Sequence, residues 1–99
     1  MNVLPIALTP KRILLIGAGK VAAQKARAIL ASDCALAVIA RDIRDPFFQE
    51  SFPAPLRLKA FEADDAQGWD IVINATGDGA LSRQLWNDRK KFGYWLNCV

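Results

Sequence analysis

The sequence predicts an α/β domain: a doubly wound parallel sheet of about five strands in the order 3-2-1-4-5. Three observations predict it. An apolar run, Ile13-Leu14-Leu15-Ile16, stops at Gly17. Gly17-Ala18-Gly19-Lys20-Val21-Ala22 then shows the spacing G-x-G-x-x-A and opens a helical pattern at once. Short apolar runs go on alternating with helical or irregular stretches, and such alternation implies right-handed crossovers and parallel strands.

The elements follow in order. Residues 1–10, bounded by Pro5 and Pro10, read as an extended lead-in. Residues 11–16 form the first strand. Residues 20–31 form the first helix, with an apolar face of Ala22, Ala26, Ile29 and Leu30. Lys20, Gln24 and Arg27 share the other side, and Ser32-Asp33 breaks the pattern. Residues 35–39 are a short apolar strand, buried on both faces as parallel strands are. Residues 41–55 are charged and interrupted by Pro46, Pro53 and Pro55, with room for a short helix over 47–51. Residues 56–61 alternate and form the third strand. Residues 62–69 are an acidic loop or a single helical turn. Residues 70–75 form the fourth strand around Ile71-Val72-Ile73. Thr76-Gly77-Asp78-Gly79 is a turn, and residues 80–92 are a helix that Gly93 ends as a C-cap. Arg89, Lys90 and Lys91 place positive charge in its last turn, where it complements the helix dipole. Residues 94–99 are the fifth strand.

Composition narrows the function. The 99 residues are one domain at most, and 53% hydrophobic with 23% charged residues suits a chain that buries a core. No apolar run approaches the ~20 residues of a membrane helix, and residues 1–6 lack a secretory pattern. A cytoplasmic protein with no membrane partner is expected. Cys34 and Cys98 make no C-x-x-C and read as reduced thiols, Cys98 buried and inert at a strand end. The chain has no histidine, so the commonest metal ligand and the commonest neutral-pH base are missing, and no metal site is expected. The net charge of +3 suits an anionic ligand, but the bases are scattered and carry no nucleic-acid motif.

The glycine turn carries the chemistry. A strand, a tight turn and a helix N-terminus form a pyrophosphate site of Rossmann-like type. The first glycine, Gly17, allows the turn. Gly19 lets backbone N–H groups approach the phosphates, and the small Ala22 lets helix and strand pack closely. Gly17, Gly19, Lys20, Val21 and Ala22 are therefore candidate dinucleotide-binding residues. With strand order 3-2-1-4-5, the turn at Thr76 lies beside them at the switch point. Thr76 either hydrogen-bonds the cofactor or caps its own turn. Asp78 either meets the ligand or, more in keeping with its type, caps the helix after it. A usual NAD site carries Asp or Glu at the end of the second strand; here Ala40 and Arg41 stand there, with Asp42 just after. Arg41 either faces a 2′-phosphate, which favours NADP, or pairs with Asp42 in solvent. Trp69, Trp86 and Trp95 read as core or edge packing, with Trp86 a candidate for an exposed interface.

Four segments carry a family resemblance: Leu4-Pro5-Ile6; the run Gly17-Ala18-Gly19-Lys20-Val21-Ala22-Ala23-Gln24-Lys25; Asn74-Ala75-Thr76-Gly77-Asp78; and Asn97-Cys98-Val99. Together they resemble the N-terminal domain of siroheme synthase and the NAD-dependent precorrin-2 dehydrogenases, some of which are also sirohydrochlorin ferrochelatases. The resemblance implies NAD as cofactor, a tetrapyrrole substrate, siroheme biosynthesis and a homodimer of the full-length protein. It also implies a working aspartate just after this strand, beyond Val99, so no catalytic residue is assigned within the chain. The tetrapyrrole is expected to bind only with the rest of such a protein present. Ala18, Gln24 and Gly77 depart from the family's usual Gly, Arg and Asp or Asn. The reading from another class is a dinucleotide-sensing module that turns nothing over.

Overall fold

The central strand β1 (Arg12–Ile16) holds Ile13, Leu14, Leu15 and Ile16 all buried. A strand with no solvated face needs cover on both sides, and the rest of the chain supplies it. The computed structural model describes residues 10–49 and 51–99; the expected lead-in, Pro10 apart, lies outside them. After β1 come α1 (Lys20–Leu30), β2 (Ala35–Ala40), a 3-10 turn at Pro46–Phe48, β3 (Leu56–Leu58) and a second 3-10 turn at Ala63–Ala66. Then follow β4 (Ile71–Asn74), α2 (Gly79–Phe92) and β5 (Trp95–Cys98).

The sheet runs β3-β2-β1-β4-β5 with every pairing parallel, as expected. Side chains alternate across it. Ile13 and Leu15 face α1 and pack with Ala22, Ala26, Ile29, Val38 and Phe48. Leu14 and Ile16 face the other way, toward Val72, Leu85 and Tyr94. The helix α1 lies close on the sheet because alanines line the contact: Ala22, Ala23 and Ala26 have no exposed surface. Ala23 joins the face expected of Ala22, Ala26, Ile29 and Leu30.

The helix α2 is anchored by Leu85, whose carbonyl accepts a 2.5 Å hydrogen bond from the buried Tyr94 hydroxyl. Gly93 ends it in the left-handed region at φ 76°. The two remaining crossovers carry no long helix. Asp45 caps the Pro46–Phe48 turn by accepting from the Phe47 N–H at 2.9 Å, and Phe47 packs edge to face on both Phe48 and Phe52 beside it. That single turn takes the place of the expected helix over 47–51.

Other expectations are corrected. The third strand stops at Leu58 and not at residue 61. Its last bond across the sheet runs from the Lys59 N–H to the Ala40 carbonyl at 2.8 Å, and β2 ends at Ala40, so nothing remains to pair with. Cys98 is exposed rather than buried, because β5 is an edge strand. Of the alternatives for Trp86 and Trp95, the core is excluded: they are 55% and 80% exposed, Trp95 on the edge strand and Trp86 on the outer side of α2. Trp69 does pack, beneath the Arg12 guanidinium 4.7 Å from its ring centre.

Candidate functional site

A cavity of about 530 Å³ opens beyond the carboxyl ends of the strands, where β2 departs from β1 on one side and β4 on the other. This is the switch point at which open α/β sheets hold ligands. Three turns meet there. The turn after β1 contributes Gly17, Ala18 and Gly19; the loop after β2 contributes Arg41, Asp42 and Arg44; the turn after β4 contributes Ala75, Thr76 and Asp78. Lys59 and Phe61 close the β3 side, and Leu81 and Gln84 of α2 the other.

The two glycines do different work. Gly17 sits at φ +115°, its N–H donates to the Ile39 carbonyl at 2.8 Å, and a Cβ there would lie 3.0 Å from the Ala75 oxygen. Only glycine fits both the angle and the space. Gly19 has extended backbone at φ −98°, and a Cβ on it would meet nothing within 4 Å. The fold itself does not demand glycine there. The open space above Gly19 is what a closely approaching ligand would fill.

The helix termini at the cavity differ as well. Gly19 is the N-cap of α1 and supplies no side-chain cap. The first intrahelical bond runs from the Ala23 N–H to the Gly19 carbonyl at 2.9 Å, which leaves the N–H groups of Lys20, Val21 and Ala22 without helical partners. In α2 the Asp78 carboxylate accepts from the Ala80 and Leu81 N–H groups at 2.9 and 3.2 Å. One positive dipole end is open to an anion, and the other is already covered by a negative charge.

Of the expected residues, Gly17, Gly19, Arg41, Thr76 and Asp78 are brought together on the cavity wall. Lys20 and Val21 project into solvent and Ala22 is buried against the sheet, so only their backbone is placed toward the turn. Thr76 is engaged by its own turn: its hydroxyl donates to Asn74 Oδ1 at 2.6 Å and accepts from the Asp78 N–H at 3.1 Å. Asp42 pairs with Arg44 at 3.2 Å, and not with Arg41 as one reading had it.

Two further residues organise the site. Asn74 is 1% exposed and ties Thr76, Asp78 and Ser82 together. Its Oδ1 also accepts from the Thr76 N–H at 3.1 Å, and its Nδ2 donates to Ser82 Oγ at 2.9 Å. A polar residue that ends the apolar run Ile71-Val72-Ile73 was the available clue. The Ala18 carbonyl accepts from the N–H groups of both Arg44 and Asp45 at 3.0 Å and clasps the loop after β2 to the glycine turn.

Lys59 bonds Asp65 at 2.7 Å and Glu62 at 3.0 Å. The Asp65 hydrogen bond leads in holding the Lys59 ammonium above its ordinary value. Burial pushes the Asp65 carboxyl up. The Lys59 ammonium, the Glu62 N–H and the charge of Arg57 outweigh it, and the net position is below the usual carboxylate value. Among the described residues no group of His, Cys, Asp or Glu is arranged to hold a metal ion, and no helix is long and apolar enough to cross a membrane.

A family model described as "Putative NAD(P)-binding" matches residues 4–99. The chain is similar over its whole length to siroheme synthases. It is 30% identical to that of Pseudomonas fluorescens (strain SBW25) over 103 aligned positions. It is 31% identical to that of Methylococcus capsulatus (strain ATCC 33009 / NCIMB 11132 / Bath) and 33% to that of Actinobacillus pleuropneumoniae serotype 7 (strain AP76), each also over 103. The chain spans about a fifth of the length of these curated relatives: 22%, 22% and 21%.

Proposed function

The chain belongs to this NAD(P)-binding family, and from that premise we propose that residues 1–99 form one domain, the dinucleotide-binding part of a precorrin-2 dehydrogenase of siroheme biosynthesis. The observation that carries the proposal is the contrast at the cavity. Space stands open over Gly19 beside the uncapped N-terminus of α1, while Asp78 covers the N-terminus of α2. A pyrophosphate is accepted by the first and repelled by the second, which fixes the direction in which a dinucleotide lies.

The backbone of residues 17–22 grips the phosphates. The loop clasped by Ala18 receives the adenosine end. The turn built on Asn74 and Thr76 lies at the nicotinamide end and supports the ring through its backbone. Once bound, the nicotinamide supplies the hydride acceptor; the chain's own residues position it. No residue described here is assigned proton transfer or a hold on the tetrapyrrole, in keeping with a chain that spans a fifth of its relatives' length. With saturating cofactor the 99-residue chain is expected to bind a dinucleotide without oxidising precorrin-2.

Calorimetric titration with NAD and with NADP tests the proposal. Saturable binding of one dinucleotide per chain is expected. Absence of binding to either at millimolar concentration would overturn it.

A further inference from the structure

We infer that the cavity selects a dinucleotide bearing a phosphate on the adenosine 2′-hydroxyl, and that Arg41 is the residue that discriminates. The inference rests on the dinucleotide reading of the cavity and departs from the NAD that the family resemblance implies, because the residues that follow β2 do not fit a site for a free ribose diol.

A site for a free ribose diol places a carboxylate at the end of the second strand, where it accepts both hydroxyls and repels a 2′-phosphate. Here β2 ends at the buried Ala40, and the next residue on the cavity wall is Arg41, exposed. The sheet fixes its level: Ile39 lies opposite Ile16, so Arg41 stands beside the glycine turn, two residues further on. Asp42 is the one carboxylate of that loop on the wall, and Arg44 Nε holds it at 3.2 Å. Arg44 in turn is kept at the wall by its N–H bond to the Ala18 carbonyl. The charge of Asp42 is therefore offset within its own loop.

Lys59 faces the same space, but Asp65 and Glu62 already engage its ammonium. Arg41 has no ion-pair partner among the described residues. A free guanidinium matches a phosphate with two parallel charged hydrogen bonds, and a neutral diol offers it no such charge. The wall at the end of β2 thus favours the dianion over the diol.

The test titrates the 99-residue chain with NAD and NADP, and with the fragments adenosine 5′-monophosphate and adenosine 2′,5′-bisphosphate, which differ only in the 2′-phosphate. NADP should bind about tenfold tighter than NAD, and the bisphosphate should lead the monophosphate by a similar factor. Arg41→Ala should bring both ratios close to one, while Arg41→Lys keeps part of them. Arg41 is exposed, and thermal melts confirm that each variant folds. Equal or tighter binding of NAD by the native chain overturns the inference and leaves the dinucleotide reading standing. So does a preference for NADP that survives Arg41→Ala. Binding of neither dinucleotide overturns both.

Discussion

Gly17 and Ala75 meet across the line where the strand order reverses: a Cβ on Gly17 would lie 3.0 Å from the Ala75 carbonyl oxygen. The turns after β1 and β4 are in backbone contact, and that contact shapes the floor of the cavity. Two residues further on, a Cβ on Gly19 would meet nothing within 4 Å.

The two glycines are therefore separable by substitution. Gly17→Ala combines a positive φ with a clash against backbone and should lower stability by about 1–3 kcal/mol. Gly19→Val should cost no more than about 1 kcal/mol, the difference between a glycine and a β-branched cap, yet abolish dinucleotide binding. Denaturant melts and calorimetry on both variants check this. A Gly19→Val chain that binds as tightly as the native one removes the phosphate assignment.

Asn74→Ala should destabilise by about 1–3 kcal/mol, because it removes a buried side chain and strips partners from the Thr76 N–H, the Thr76 hydroxyl and Ser82 in a part-buried network. The Thr76 turn then loses its template, so weaker dinucleotide binding should accompany the lower melting point. Stability within about 0.5 kcal/mol of the native chain would show that the network is dispensable.

Acid should weaken the β3 side of the sheet through Asp65. Its carboxyl lies below the ordinary value in the folded chain, so its contribution is complete above about pH 4 and fades as the pH falls through the folded value. Melts taken from about pH 5 down to about pH 2 should show this slope, and Asp65→Asn should flatten it. An unchanged slope in that variant would assign acid sensitivity to other carboxylates.

Alkali acts through Tyr94. Burial, aided by the charge of Asp88, pushes its hydroxyl from 10.0 up to about 12. The folded chain holds this proton where the unfolded chain releases it. The contribution is full below pH 10.0 and is lost as the pH rises toward about 12. Tyr94→Phe should lower neutral-pH stability by about 1 kcal/mol, through the lost bond to the Leu85 carbonyl, and remove this alkaline slope. Alkaline melts that match the native chain's would exclude Tyr94 as the source.

What could be read from the sequence was local. The run from Ile13 to Ile16 and the glycine spacing lie within a few residues of each other, and so do Asp78 and the N–H groups it caps. Strand order followed because alternating elements leave few topologies. The end of β3 was not legible, since it depends on where β2 stops. Nor was the exposure of Trp95 and Cys98: an apolar edge strand reads the same whether or not something covers it. The roles of Asn74 and Ala18 rest on hydrogen bonds that close only after the chain has folded.

The double bond to the Ala18 carbonyl also bears on how the cavity receives its ligand. With the N–H groups of Arg44 and Asp45 both fastened to the glycine turn at 3.0 Å, the wall after β2 is built before any nucleotide arrives. Little conformational entropy remains to be lost there on association, so the free energy of contact is not spent on ordering a loop. Those two amides should resist hydrogen exchange in the free protein nearly as well as in the complex, and any slowing on binding should concentrate at Lys20, Val21 and Ala22.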